Sequence, residues 1–144
     1  MNKRAEPRIK SVMTPFPYSV PLDAPIGAAR RLMLDKHVHH LPVTDGNRLA
    51  GIITDRDIKL LLGPELGSPD PKELTVEDAY VSDSFIVDLD MPLVDVLAEM
   101  IERHLGAALV TTHGRLAGIF TVMDAARVLY EQLQETYHPP PEVA

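Results

Sequence analysis

The sequence predicts an α+β fold built from two copies of one β-α-β-β-α unit. Three observations carry this. A long segment of the chain recurs at a fixed offset. Each copy alternates short strand-type runs with helical apolar periodicity. The 144 residues, 45% apolar and 24% charged, suit one folded domain or two small halves sharing a core.

The repeat is direct. LAGIITDRD at residues 49–57 returns as LAGIFTVMD at 116–124, an offset of 67. Held without gaps from 20–57 against 87–124, that offset gives 15 identities in 38 positions. A copy of about 60 residues is marginal for a core of its own. The copies are therefore expected to bury each other's apolar faces.

Each copy opens on a short β-type segment, 17–20 and 84–87. A helix then starts at Pro25 and at Pro92, where a missing N–H costs nothing in the first helical turn. Leu93, Val96, Leu97, Met100 and Ile101 fall on one helical face, and Ile26, Ala29, Leu32 and Met33 form the matching stripe. Two apolar runs follow, 40–44 and 49–54. Asp45-Gly46-Asn47-Arg48 between them reads as a hairpin turn, and His113-Gly114 joins 107–111 to 116–121 likewise. A second helix covers 55–62 and 122–137. Val122, Ala125, Ala126, Leu129 and Leu133 share a face of the latter. Gly-Pro and Ser-Pro steps mark 63–72 as the connecting loop. The expected boundaries are 1–10 flexible, 11–63 the first copy, 64–75 a linker, 76–134 the second copy and 135–144 a flexible tail.

Composition removes several functions. A net charge of −7 disfavours nucleic acid, which needs clustered positive charge. Without Cys there are no disulfides, thiolate metal sites or Cys nucleophiles. Without Trp, and with 5% aromatics, a base-stacking platform is not expected. Apolar runs are far shorter than the roughly 20 residues of a membrane helix. The polar start lacks a signal peptide, so a soluble, cytoplasmic protein is expected, with no membrane partner.

The repeated motifs have a recognisable combination. Ser11-Val12-Met13-Thr14-Pro15 leads in, His40-Leu41-Pro42-Val43 follows, and Gly51-Ile52-Ile53-Thr54-Asp55-Arg56-Asp57 closes the first copy's strands. Gly118-Ile119-Phe120-Thr121-Val122-Met123-Asp124 closes the second. Across residues 9–133 the chain resembles the tandem CBS-domain pair, or Bateman module. The resemblance implies two CBS repeats packed about a pseudo-twofold axis, with two clefts between them. It implies AMP, ADP, ATP or a related adenosyl ligand there, with or without magnesium, and no obligatory cofactor. It also implies a homodimer and a regulatory role toward a separate, unknown protein.

Thr54-x-x-Asp57 and Thr121-x-x-Asp124 carry the chemistry. A helix start offers free N–H groups and partial positive charge to a phosphate. A Thr hydroxyl can add a donor, and an Asp can accept from two ribose hydroxyls. Arg56 could add a charge-assisted phosphate contact. By resemblance, Ala24, His40, Leu41, Pro42 and Ile52 line the base slot of the first copy. Met91, Ala107, Ala108, Leu109 and Ile119 line that of the second. The same Thr-x-x-Asp pattern is also a capping box, in which both side chains satisfy backbone N–H groups. The residues leave both readings open; the resemblance favours ribose contact for Asp57, and Thr54 could do both. Asp55 and Arg56 align with Val122 and Met123, so unequal sites are expected, with the Arg56 site preferring a phosphorylated ligand.

The remaining candidates have plain explanations. Adjacent His39 and His40 would point to opposite faces of a strand, so no metal site is expected. His37 and His104, beside Lys36 and Arg103, suit the negative end of a helix. No nucleophile motif or acid–base pair is evident, so an enzyme is not expected. The competing function is a constitutive dimerisation or partner-interaction module without a physiological ligand.

Overall fold

The computed structural model describes residues 5–63 and 74–142; most of the expected linker, 64–73, lies outside the described residues. The elements follow the repeat. The first half contains β1 (Thr14–Pro15), β2 (Val20–Pro21), α1 (Ile26–Lys36), β3 (His40–Asp45), β4 (Arg48–Thr54) and α2 (Asp55–Leu62). The second contains β5 (Ile86–Asp88), α3 (Leu93–Arg103), β6 (Ala107–Thr112), β7 (Arg115–Thr121) and α4 (Val122–Tyr137). This is the expected α+β pair of repeats. The strands that open each copy sit a residue or more later than expected, because Val20 pairs in parallel with Val43 and Val87 with Val110. The prolines stand at the N-caps of α1 and α3 rather than inside them.

The equivalent pairs of strands carry the same irregularity. The register slips between Val43 and Thr44, and again between Val110 and Thr111. His37 and His104 end equivalent helices at φ 55. They hold left-handed C-cap positions, where His is among the better-tolerated non-glycine residues. A backbone requirement thus joins the helix-end charge as a reason for His there.

Two cores form, one per sheet. Ile26, Ala29, Met33, Leu41, Val43, Ile53 and Ile58 fill the first, and Leu93, Val96, Met100, Ala108, Val110 and Phe120 the second. The expected helix stripes hold except at their edges. Leu97 packs against the second core, but Ile101 is exposed. In α4 the expectation fails more widely. Ala125 packs inward with Val128, while Val122, Leu129 and Leu133 are exposed. Val122, at the start of the helix, lines an open cavity, and from 129 to 137 every residue is exposed, so the last turns of α4 have no protein covering them.

The segments leading into each copy are exchanged. The sheet order is β1-β7-β6-β5 in one half and β2-β3-β4 in the other. Thr14 pairs with Ile119 of the second copy, while Val81 bridges to Ile52 of the first. The Ile9 N–H donates to the Met91 carbonyl and the Val76 N–H to the Ala24 carbonyl, both at 2.9 Å. Ile9 is fully buried in the second core and Val76 in the first. Residues 7–10 are therefore a packed strap on the second half, not the loose end expected of 1–10. The boundaries 11–63 and 76–134 likewise cut across this exchange. At the other end, residues 135–137 still belong to α4, so the exposed tail begins at His138.

Glycine permits the exchange. A Cβ on Gly51 would overlap the Val81 carbonyl, and one on Gly118 would lie 2.9 Å from the Thr14 carbonyl. These equivalent positions need glycine because a foreign backbone lies against them. Among the described residues, no helix is long and apolar enough to cross a membrane.

Candidate functional site

Both Thr-x-x-Asp motifs form capping boxes. Asp57 N–H donates to Thr54 Oγ1 at 3.1 Å, and Thr54 N–H donates back to Asp57 Oδ2 at 2.9 Å. Thr121 N–H donates to Asp124 Oδ2 at 2.8 Å, and Asp124 N–H to Thr121 Oγ1 at 3.4 Å. Capping occupies one carboxylate oxygen of each Asp and leaves the other for a different partner.

The two motifs then diverge. Asp124 is 3% exposed. Its Oδ1 accepts from Thr14 Oγ1 and from Arg127 Nη1, both at 3.1 Å. Asp57 is more open, and the residue aligned with Arg127 is Leu60. The carboxylate of the second copy is thus tied to the exchanged strap and to a guanidinium one turn along α4.

A cavity of about 680 Å³ opens at this point, between the halves. Ile119, Thr121, Val122, Met123, Asp124 and Arg127 form one wall. His37, Val38, His39, His40 and Leu41 come from the first copy, and Gly106 faces them. Thr14, Pro15, Phe16, Pro17 and Tyr18 close the side. Its size lies within the range of small-ligand sites. Phe16 is 93% exposed and holds φ 48, a conformation that costs a bulky residue energy.

The expected site residues divide accordingly. His40, Leu41, Ile119, Thr121 and Asp124 come together here. The cavity draws on both expected sets, with His40 and Leu41 of the first copy facing Thr121 and Asp124 of the second across the junction. Sheet contact through β4 and β7 brings the start of β3 against Gly106, before β6; a Cβ on Gly106 would lie 3.2 Å from His40 Nε2. Met91, Ala107, Ala108 and Leu109 do not line this cavity. Met91 is held by the strap, while Ala108 and Leu109 are fully buried in the central strand. Ala24 and Ile52 bond to the other strap and Pro42 is buried; Thr54, Arg56 and Asp57 do not line this cavity, although Thr54 pairs with His40 at its edge. Met123 leaves the position aligned with Arg56 without a cation, and Arg127 one turn further along α4 supplies one to this cleft.

Electrostatics beside the cavity are set by a small cluster. His39 Nδ1 lies 3.0 Å from Asp55 Oδ2. Burial works against the Asp55 charge, but His39, the Arg56 backbone N–H and Lys59 outweigh it and hold the carboxyl below its usual range. Burial pushes the His40 imidazole below its usual 6.5, assisted by His39 and opposed by Asp55 and Asp57. His40 therefore presents a neutral ring to the cavity near pH 7.

The CBS domain model matches residues 9–63 and 76–131. The chain is a CBS-domain protein. The two matches begin on the exchanged straps, so the CBS unit as a sequence differs from the sheet it completes. The chain is 35% identical to the uncharacterized protein YlbB of Bacillus subtilis, over 89% of this chain and 84% of that one. It superposes on CBSX2, solved in complex with AMP, with TM-score 0.74, 25% identity and coverage of 87% and 97%. The CBS pair of MJ0100, solved with 5-methylthioadenosine and S-adenosyl-L-methionine, gives 0.76 at 23% identity, covering 88% and 98%.

Sequence reasoning missed Arg127 and did not place Thr14 in the cleft of this CBS pair. Thr14 lies in a quoted motif, but nothing local says that the motif docks on the other copy. Arg127 was discoverable: at the repeat offset it replaces Leu60, just as Met123 replaces Arg56.

Proposed function

We propose that this CBS-domain protein is a regulatory sensor that binds an adenine nucleotide in the Thr121/Asp124 cleft. The carrying observation is the convergence of a helix N-terminus, a buried carboxylate and a guanidinium at one end of a largely apolar cavity. The α4 N-terminus and Arg127 suit a phosphate. Asp124 suits a ribose diol, and Leu41, Ile119 and Tyr18 suit a purine face. AMP, ADP, ATP and S-adenosyl compounds share this adenosine chemistry, and magnesium would travel on the phosphates of ATP. CBSX2 with AMP and MJ0100 with S-adenosyl-L-methionine support the class of ligand. Thr54, Arg56, Asp57 and Ile52 belong to the symmetry-related position, which we assign to a second, independent cleft.

The ligand would touch both halves and, through Asp124, the Thr14 strap. Binding would favour one arrangement of these parts over others, which is what a sensor requires. Thermal shifts with AMP, ATP and S-adenosyl-L-methionine test the reading. A ligand at 100 times its dissociation constant stabilises by about 2.7 kcal/mol. Asp124→Asn keeps a capping oxygen but should lose most of the response. No shift with any adenosyl ligand would refute the proposal.

The exposed face of α4 favours self-association as a companion property. Val122, Leu129, Tyr130, Leu133 and Tyr137 are all exposed along it, and such a stripe suits a helix face of a second copy. Light scattering should give a dimer that Leu129→Glu with Leu133→Glu dissociates; a monomeric parent chain would refute it.

A further inference from the structure

The Asp124 carboxylate has no spare capacity. Oδ2 accepts from the Thr121 N–H and from Thr121 Oγ1 at 3.2 Å, and Oδ1 accepts from Thr14 and Arg127. A carboxylate offers about four acceptor positions, so all are engaged. A ligand hydroxyl can reach Asp124 only by displacing a donor. The Thr121 N–H is fixed by the helix start, Thr121 Oγ1 is held in the capping box by accepting from the Asp124 N–H at 3.4 Å, and Thr14 is fixed by β1 pairing with β7. Arg127 is different: its side chain is 58% exposed and sits on a flexible stem. Arg127 is the donor that gives way.

We infer that Arg127 is the phosphate-selecting residue of the cleft, exchanging Asp124 for the ligand's 5′-phosphate when a ribose diol takes its place. This rests on the adenine-nucleotide reading above and deepens it. The repeat supports the assignment from a separate direction. The first copy carries Arg56 and Leu60; the second carries Met123 and Arg127 at the same two positions. Residues four apart share a helix face. The cation has moved one turn along that face, to where it can be held by Asp124.

The exchange has a consequence for specificity. A ribonucleoside 5′-phosphate displaces Arg127 and then gives it a charge-assisted partner. A neutral nucleoside displaces it and offers nothing in return. The cleft therefore selects against adenosine and 5-methylthioadenosine, and a 2′-deoxynucleotide fails to release the pair.

The test is an NMR titration of the full chain with AMP and with adenosine, read at the Gly106, Thr121 and Asp124 amides so that only this cleft is followed. Wild type should bind AMP at least about tenfold more tightly than adenosine, the scale of one hydrogen bond to a charged group. Arg127→Met should bring the two near parity, weakening AMP and tightening adenosine, since the competitor for Asp124 is gone. Adding Met123→Arg should restore the phosphate preference. A circular-dichroism melt confirms that the variants fold. If the wild-type preference survives in Arg127→Met, the inference is overturned while nucleotide binding stands. If wild type binds neither compound, both readings fall.

Discussion

Removing the Asp124 carboxylate should destabilise the protein far more than removing its repeat partner Asp57. Both close a capping box, and losing such a cap costs about 1 kcal/mol. Asp57→Ala should cost that and little else, because Asp57 is only half-buried and the residues aligned with Thr14 and Arg127 are Val81 and Leu60, which offer it no side-chain donor. Asp124→Ala also strips Thr14 and Arg127 of a shared acceptor, each at 3.1 Å. A hydrogen bond to a charged group is worth about 1.5–3 kcal/mol. Arg127 is more than half exposed and recovers water, so its share is small. Alanine also removes the cost of burying the carboxylate, which argues for the low end of the range. The excess is then about 1.5–2 kcal/mol, or about 3 kcal/mol in all for Asp124→Ala. At about 4 °C per kcal/mol for a chain of this size, Tm should fall by about 12 °C for Asp124→Ala and about 4 °C for Asp57→Ala. Calorimetric melts measure both. Thr14→Val should cost stability in wild type and almost nothing in the Asp124→Ala background. Equal losses at the two positions, or additive effects of Thr14→Val and Asp124→Ala, would refute the argument that Asp124 ties the strap to the cleft.

Other outcomes follow from the same geometry. Gly51→Ala and Gly118→Ala should each destabilise by about 1–3 kcal/mol, read by urea unfolding, because the added methyl meets the crossing strap; wild-type midpoints would show that the straps do not sit there. Phe16→Gly should stabilise by up to about 1 kcal/mol, since it relieves a positive φ at an exposed side chain, and an unchanged or lower midpoint would contradict that. His40 carries a pH signature. Its folded value lies below 6.5, so on acidification the unfolded chain binds that proton first. The contribution is complete above about 6.5 and is lost as pH falls through the folded value. His40→Asn should flatten the stability profile in that window. Asp55 is also held low, so its contribution is present above the ordinary carboxylate range and lost as pH falls through the folded value; Asp55→Asn should remove the dependence on the more acidic side.

Much of the fold was legible because the chain states its unit twice. The helices at 55–62 and 122–137, both hairpins and the inward stripes of α1 and α3 follow from local periodicity and turn chemistry. The exchange of straps was not legible. Residues 7–15 and 74–81 carry the same pattern whichever copy they dock on, and pairing between distant segments leaves no local mark. The mixing of His40 and Leu41 with Thr121 and Asp124 was hidden for the same reason, since it depends on how the sheets meet. The stripe of α4 shows another limit. Apolar periodicity reports a face, not what covers it, and Leu129 and Leu133 are exposed. For the motifs, residue chemistry read capping and ribose binding as rivals. The structure shows capping engaging one oxygen of each Asp, so the box does not preclude a further partner.

The central claim is that an adenine nucleotide occupies the Thr121/Asp124 cleft, and a crystal structure of the full chain grown with AMP tests it most directly. The account predicts density between His40 and Ile119, with the ribose hydroxyls on Asp124 and the phosphate at the start of α4 beside Arg127. A cleft without nucleotide, with AMP bound only elsewhere on the molecule, would contradict it.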